Sequence, residues 1–217
     1  MRSELKLYGA WPRIFKLFAA IVLFASTPAI AADKLIVAFG DSLSAGYGLK
    51  STESFPVQLE AALRRGGTAA RVYNAGVSGD TTAQGRARLG FVLNSLKVKP
   101  DLVILQLGGN DMLRAIDPAQ TEANLSAILT ELKKRRIPVL LAGMLAAPNL
   151  GKTYQTRFDA VYPKLSRQYG AKLYPFFLNG VTGNRTLLLR DGIHPTAKGV
   201  GVVVVGILPQ VKGALGW

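Results

Sequence analysis

The sequence is poor in the residues that form covalent cross-links and most metal sites. Its 217 residues include no cysteine and a single histidine, His194. The absence of cysteine excludes disulfides, cysteine nucleophiles and cysteine-bound zinc or iron–sulfur clusters. A single histidine excludes any site that needs two histidines as metal ligands or as an acid–base pair. If an imidazole takes part in catalysis, it is therefore that of His194.

Charged residues are also scarce, and acidic ones most of all. They make up 18% of the chain against 49% hydrophobic residues, and 13 acidic residues stand against 27 basic ones, which gives a net charge of +14. This composition excludes a disordered chain, and the length is that of one domain with a sizeable core. The positive charge favours an approach to anionic membrane surfaces or acidic substrates.

The basic residues are spread along the chain rather than gathered in one segment. Their densest run is 133–136, where a predicted helix ends and positive charge complements the helix dipole. We therefore expect no nucleic-acid partner. The expected partners are a small-molecule substrate and, transiently, an anionic membrane surface, and the expected state is a monomer.

The N-terminal region has the layout of a secretory signal peptide. Basic residues up to Lys16 precede an apolar run at 17–25, and Ala29-Ile30-Ala31 supplies the small residues that a signal peptidase reads. The nine residues of that run are too few to cross a bilayer, which takes about 20. The sequence predicts cleavage of 1–31 near Ala31, a single domain over 32–217, and a location in the periplasm or outside the cell.

Five short apolar segments alternate with segments of helical periodicity. The predicted strands are 35–39, 71–75, 102–107, 138–145 and 171–176, and the predicted helices between them include 53–65, 118–135 and 151–169. Most of these strands are unbroken apolar runs, which is typical of strands that are buried on both faces. The spacing of one βαβ unit predicts an α/β fold with a parallel sheet and helices on both faces.

The C-terminal segment gives a weaker signal. A closing helix is expected after Gly199, but the run is rich in valine and glycine, and Pro209 interrupts it. Valine and glycine are weak helix formers and proline breaks helices, so the sequence predicts a short or imperfect helix.

Polar residues follow the predicted strands at the points where ligands bind in open α/β sheets. Ser42 follows the first strand, Gly79 the second and Asn110 the third, while Asp191 and His194 precede the last helix. One tight turn brings the Asp191 carboxylate to Nδ1 of His194, which leaves Nε2 to take a proton from the Ser42 hydroxyl. The Gly79 N–H and the Asn110 amide are able to stabilise the resulting oxyanion.

Three further acidic residues lie near this predicted site: Asp41, Asp80 and Asp111. We expect them to support the loops by accepting hydrogen bonds from N–H groups and by capping helices. The alternative is a weak site for a hard cation. Their spacing matches no known metal-binding loop, so no metal is predicted.

Four motifs together resemble those of the SGNH hydrolases, also called the GDSL family. They are Gly-Asp-Ser-Leu-Ser at 40–44, Gly79 within Val-Ser-Gly-Asp-Thr-Thr, Gly-Gly-Asn-Asp at 108–111 and Asp-Gly-Ile-His-Pro at 191–195. The resemblance runs from Leu35 to His194. Ser-Leu-Ser-Ala-Gly-Tyr at 42–47 and Arg114 after Gly-Gly-Asn-Asp resemble the exported thioesterases, lysophospholipases and arylesterases of that family.

The resemblance implies a flavodoxin-like three-layer α/β/α sandwich with a five-stranded parallel sheet. It implies that Ser42 is the nucleophile, His194 the base and Asp191 its orienting partner. The oxyanion hole would consist of the Ser42 and Gly79 N–H groups and the Asn110 amide. The implied reaction is the hydrolysis of esters and thioesters through an acyl-enzyme, without a cofactor or metal.

The apolar segments 112–116 and 144–150 are the predicted walls of the substrate pocket, with Ile116 and Leu145 as candidate substrate-binding residues. Apolar walls favour acyl or aryl groups over sugars. Three alternatives remain open: a carbohydrate acetyl esterase of the same family, a non-catalytic envelope-binding module, and a flavodoxin-like cofactor binder.

Overall fold

The computed structural model describes residues 33–216, and the predicted signal peptide 1–31 lies outside them. A parallel sheet of five strands forms the middle layer, in the order β2-β1-β3-β4-β5. The strands are β1 (Lys34–Gly40), β2 (Ala70–Gly76), β3 (Leu102–Gln106), β4 (Val139–Ala142) and β5 (Lys172–Tyr174). This is the flavodoxin-like order, so the predicted fold is confirmed.

Eight α-helices cover both faces of the sheet within the described range. They are α1 (Ser42–Ala45), α2 (Phe55–Arg65), α3 (Thr82–Ser95), α4 (Gly109–Leu113), α5 (Pro118–Lys134), α6 (Lys152–Asp159), α7 (Val161–Tyr169) and α8 (Ala197–Ala214). Short 3-10 helices span Ser51–Glu53, Pro148–Leu150 and Arg185–Leu187. Helices α2 and α8 pack together, while α5 packs between α3 and α7.

The core is centred on β1 and β3. Every residue of β3 is buried, as are all residues of β1 except Lys34. The second strand, β2, is not an unbroken apolar run, and its Arg71 and Tyr73 are exposed. Its place at the edge of the sheet explains this, because only one of its neighbours is a strand.

The predicted helix over 118–135 is confirmed as α5. The Asp117 carboxylate accepts a hydrogen bond from the Ala119 N–H at 3.0 Å, and Pro118 occupies the first turn. The predicted single helix over 151–169 is instead divided into α6 and α7 at Ala160. Pro163 gives the physical reason, because it has no N–H to donate back to the last residue of α6.

The prediction of a short or imperfect C-terminal helix is wrong. Helix α8 has 18 residues and contains Pro209, whose side chain is exposed. Its inner face consists of buried aliphatic side chains, including Val203 and Ile207, that pack into the core. This burial outweighs the weak helix propensity of valine. Within 33–216, α8 alone is long and apolar enough to span a bilayer by length and composition, and one third of it is buried in the core.

Candidate active site

Ser42 is the first residue of α1, directly after the carboxyl end of β1. The Asp41 carboxylate accepts a hydrogen bond from the Leu43 N–H at 3.0 Å, and the Ser44 hydroxyl donates to Gln106 Oε1 at 2.9 Å. A Cβ at Gly40 would lie 2.2 Å from Ser44 Oγ, so only glycine fits before this turn. These contacts tie the turn to β3 and fix the direction in which Ser42 points.

The structure brings Ser42, His194 and Asp191 into one hydrogen-bonded chain. Ser42 Oγ lies 2.8 Å from His194 Nε2, and His194 Nδ1 lies 2.7 Å from Asp191 Oδ2. The other carboxylate oxygen of Asp191 accepts hydrogen bonds from the N–H groups of Ile193 and His194, at 2.9 Å and 3.0 Å. The spacing of three residues thus produces the tight turn that the sequence predicts.

The hydrogen bonds to Asp191 favour its charged form. Partial burial tends to raise the pKa of this carboxyl group, but the two N–H donors and the imidazole outweigh it and lower the pKa to about 2. Asp191 is therefore ionised at every pH at which the protein is expected to work. A fixed carboxylate at Nδ1 holds the imidazole in the orientation in which Nε2 faces Ser42 Oγ.

Gly79 and Asn110 line the same cavity as Ser42. Gly79 has a φ of +87°, and its carbonyl accepts a hydrogen bond from Arg114 Nη2 at 3.0 Å. The Asn110 Nδ2 group donates to the Asp80 carbonyl at 3.0 Å. A side-chain amide has two N–H donors, so this contact orients Asn110, and the second donor makes a longer contact of 3.4 Å with Asp41 Oδ2.

Asp41 and Asp111 accept hydrogen bonds from backbone N–H groups, as the sequence predicts, whereas the Asp80 side chain pairs with an arginine instead. Asp111 accepts hydrogen bonds from the Thr82 N–H at 2.8 Å and from the Thr121 hydroxyl at 3.2 Å. Asp80 forms an ion pair with Arg88 at 2.5 Å. Over residues 33–216, no group of three or more histidine and acidic side chains is arranged to hold a metal ion.

Asp41 is the most buried acidic side chain beside Ser42. Burial raises its pKa to about 6, although the hydrogen bond from the Leu43 N–H acts in the opposite direction. Asp41 Oδ2 lies 3.4 Å from Asn110 Nδ2. Asp41 thus links the turn that carries Ser42 to the loop that carries Asn110.

A cavity of about 540 Å³ opens in front of Ser42 and His194. Its walls are mainly apolar, and come from Leu43, Met112, Met144, Ala146, Phe176 and Leu178. Leu145 lines the cavity, as the sequence predicts. Ile116 does not line it; its carbonyl instead accepts a hydrogen bond from the Tyr154 hydroxyl at 2.8 Å.

Two features of the cavity have no counterpart in the sequence-based prediction. The ring of Tyr47 packs on the imidazole of His194, with the ring centroids 4.5 Å apart. Phe176 and Leu178 also line the cavity, and they follow β5, which is the edge strand opposite β2. Tyr47 lies within the motif that carries the family resemblance, which is the one signal that could have singled it out.

Comparisons with known proteins agree with this geometry. The esterase TesA of Pseudomonas aeruginosa is 37% identical to this chain, over 94% of the chain and all of that protein. The thioesterase 1/protease 1/lysophospholipase L1 of Escherichia coli K12 is 40% identical, over 77% of each. The crystal structure of AlinE4, an SGNH-hydrolase family esterase, is 53% identical with a TM-score of 0.74, covering 86% of this chain and 99% of that one.

The family assignment rests on most of the chain. Residues 38–202 match the GDSL-like lipase/acylhydrolase family, a range that includes all four motifs and the hydrogen-bonded chain from Ser42 to Asp191. The protein therefore belongs to the GDSL-like lipase/acylhydrolase family.

Proposed function

We propose that the protein is a serine esterase and thioesterase. Its substrates are carboxylic esters and acyl thioesters: aryl esters, short to medium acyl chains and lysophospholipids. The observation that carries the proposal is the hydrogen-bonded chain of Ser42, His194 and Asp191 at the mouth of an apolar cavity. Relatives named esterase, arylesterase and thioesterase support the same reaction class.

In the first step, Ser42 Oγ attacks the carbonyl carbon of the bound ester. His194 Nε2, at 2.8 Å from Oγ, accepts the hydroxyl proton as the new bond forms. The imidazolium that results is stabilised by the Asp191 carboxylate, which is already ionised and held by two N–H groups. His194 then donates its proton to the leaving alcohol or thiol, and the acyl group remains on Ser42.

The negative charge of the tetrahedral intermediate falls on the former carbonyl oxygen. The proposed donors to it are the N–H groups of Ser42 and Gly79 and the Asn110 amide, which would exchange its long contact with Asp41 for the oxyanion. Each preorganised donor of this kind is worth about 100- to 1,000-fold in turnover. Arg114 holds the Gly79 carbonyl and Asp80 holds Asn110, so both donors are positioned before the substrate binds.

In the second step, water takes the place of the leaving group and His194 takes a proton from it. Attack on the acyl-enzyme gives a second tetrahedral intermediate in the same set of donors, and its collapse releases the acid and regenerates Ser42. The aliphatic and thioether side chains of the cavity bind the acyl or aryl group. Walls of this kind favour such groups over acetylated sugars, so the acyl esterase is preferred to the carbohydrate esterase.

Hydrolysis of p-nitrophenyl butyrate in the presence of a chelator tests this proposal. The parent is expected to turn over, and Ser42→Ala is expected to reduce kcat by about 10⁵- to 10⁶-fold. Ser95→Ala is the matched control, because this exposed serine at the end of α3 bonds only to the Val92 carbonyl. Equal activity of the parent and Ser42→Ala would remove Ser42 as the nucleophile.

The alternatives are separated by three further measurements. Turnover of an acetylated glycan but not of butyrate or acyl thioesters would replace the acyl esterase by a carbohydrate esterase. A Ser42→Ala protein that keeps the full cellular function would indicate a binding module, and a flavin spectrum of the purified protein would indicate a cofactor binder.

We also propose that residues 1–31 are a signal peptide and that 32–217 act as one hydrolase domain in the periplasm or outside the cell. The basic start, the apolar run and Ala29-Ile30-Ala31 support this. Mass spectrometry of the exported protein should find Ala32 as its first residue. An intact Met1 on the mature cellular protein would contradict cleavage.

A further inference from the structure

Apolar side chains surround the mouth of the cavity on its solvent side. We name Tyr47, Val77, Leu113, Leu145 and Ile193 the rim. Each rim side chain is between 41% and 53% exposed, although all five belong to large hydrophobic residues. Contiguous apolar surface of this kind marks an interaction site, whereas isolated exposed residues are ordinary.

The rim comes from different parts of the chain that the fold gathers at one end of the sheet. Tyr47 follows α1, Val77 follows β2, Leu113 ends α4, Leu145 follows β4, and Ile193 immediately precedes His194. Four of them also line the cavity, and Val77 adjoins Ser78, which does. Most of the rim is therefore continuous with the apolar walls of the cavity.

Positive charge accompanies the rim. Arg114 follows Leu113 and Arg190 precedes Asp191, and both side chains are exposed. Neither forms an ion pair with any residue in 33–216. The carboxylate next to Arg190 in sequence is that of Asp191, which is instead hydrogen-bonded to the ring and the backbone N–H of His194. The mouth thus combines exposed apolar groups with cations that have no counter-ion in the part of the chain that the structure describes.

We propose that the rim is a docking surface for an anionic lipid surface. The rim side chains enter the headgroup region, while Arg114 and Arg190 face the anionic headgroups. In this orientation the cavity opens toward the lipid, so an acyl substrate passes from the lipid surface to Ser42 along apolar walls. The excess of basic over acidic residues in the whole chain attracts it to the same surface. The passage of an acyl substrate to Ser42 rests on the proposed esterase function. The vesicle-binding tests below do not depend on that function.

Vesicle binding tests the docking surface directly. Protein is expressed from the full-length chain with Ser42→Ala, so that no lipid is hydrolysed, and the N-terminus of every preparation is checked by mass spectrometry. Binding to vesicles of phosphatidylcholine with one quarter phosphatidylglycerol is compared with binding to phosphatidylcholine alone. The affinity for the anionic vesicles is expected to be the higher one, and equal affinities would overturn the proposal.

Substitutions of exposed apolar residues within and outside the rim separate the role of the rim from general hydrophobicity. Val77→Ser combined with Leu113→Ser is expected to weaken binding to anionic vesicles about tenfold. Val98→Ser is the control, because Val98 is 62% exposed but lies before β3, at the opposite end of the sheet. Unchanged binding of the rim variant, or an equal loss for Val98→Ser, would overturn the rim as the docking surface.

A matched pair of cations tests the charge. Arg190→Gln is expected to weaken binding to anionic vesicles about fivefold and to leave binding to phosphatidylcholine unchanged. Lys97→Gln, which replaces an exposed lysine at the opposite end of the sheet, is expected to weaken binding to anionic vesicles less and also to leave binding to phosphatidylcholine unchanged. Equal losses of binding for both variants would mean that only the net charge of the protein attracts it to the vesicles. That result would overturn a role of the cavity mouth.

Hydrolysis of a soluble ester distinguishes the two proposals. Active parent protein that cleaves p-nitrophenyl butyrate but does not bind anionic vesicles would overturn the docking surface alone. Vesicle binding that depends on the rim in a protein with no esterase activity would overturn the proposed function alone. Circular dichroism of each variant confirms that a loss of binding is not a loss of folding.

Discussion

The buried carboxyl of Asp41 makes the stability of the protein depend on pH. Its pKa is raised by burial from 3.8 to about 6, while in the unfolded chain it returns to the ordinary value. The folded protein therefore holds the proton more tightly than the unfolded chain. Stability from this group is fully present below about pH 4 and is lost as the pH rises through about 6. The difference of about two pKa units corresponds to about 3 kcal/mol.

Asp41→Asn removes this titration with little change of shape. Asparagine is also a good N-cap residue, so it is expected to accept the hydrogen bond from the Leu43 N–H in the same way. The free energy of unfolding of the variant, minus that of the parent, should rise by about 2 kcal/mol between about pH 4.5 and pH 7.5. The rest of the about 3 kcal/mol of stabilisation by the Asp41 proton is lost below about pH 4.5.

Urea unfolding at the two pH values measures this difference. Far-UV circular dichroism is a suitable signal, because it reports the loss of the helices that cover the sheet. Equal denaturant slopes for parent and variant would show that the comparison is one of stability. A difference that stays constant with pH would refute the reasoning, since it would mean that the charged carboxylate is not penalised by burial.

Three further predictions concern the site and its support. Asp191→Asn is expected to lower kcat about 10⁴-fold in p-nitrophenyl butyrate assays with little loss of thermal stability, because the amide no longer holds the imidazole in the working orientation; activity within tenfold of the parent would contradict this. Leu145→Ala should change the acyl-chain-length profile of p-nitrophenyl esters, whereas Ile116→Ala should not, since only Leu145 lines the cavity; identical profiles would argue against the pocket. Gly108→Ala should destabilise the protein by about 2–4 kcal/mol in urea unfolding, because its φ is +110° and a Cβ would lie 2.1 Å from the Tyr162 hydroxyl; a neutral effect would show that the tyrosine moves freely.

The strands and the catalytic loops follow from the sequence because their signals are local. An unbroken apolar run of strand length identifies β1 or β3, and glycine-rich turns after such runs mark the edge of the sheet where ligands bind. The turn from Asp191 to His194 is likewise local, since its hydrogen bonds span three residues or fewer. The resemblance to the SGNH hydrolases then supplies the roles of these residues.

The parts that the sequence does not predict depend on contacts between distant segments. Helix α8 forms in spite of its valines and Pro209 because its inner face is buried in the core. Phe176 and Leu178 line the cavity because β1 and β5 run in the same direction and end at one edge of the sheet, and no local pattern shows how far the loop after β5 reaches toward Ser42. Ile116 is a reasonable candidate because its loop is apolar. In the structure its carbonyl accepts a hydrogen bond from the Tyr154 hydroxyl, and Ile116 does not line the cavity.

The central claim is that Ser42 becomes covalently acylated during turnover. A p-nitrophenyl alkylphosphonate, which reacts with an activated serine and stays attached, tests it most directly. Intact-mass measurement and peptide mapping should find one phosphonyl group per molecule on Ser42, appearing in step with the loss of esterase activity, and none on Ser42→Ala. Full inactivation with the label on another residue, or labelling of Ser42 without loss of activity, would contradict the mechanism.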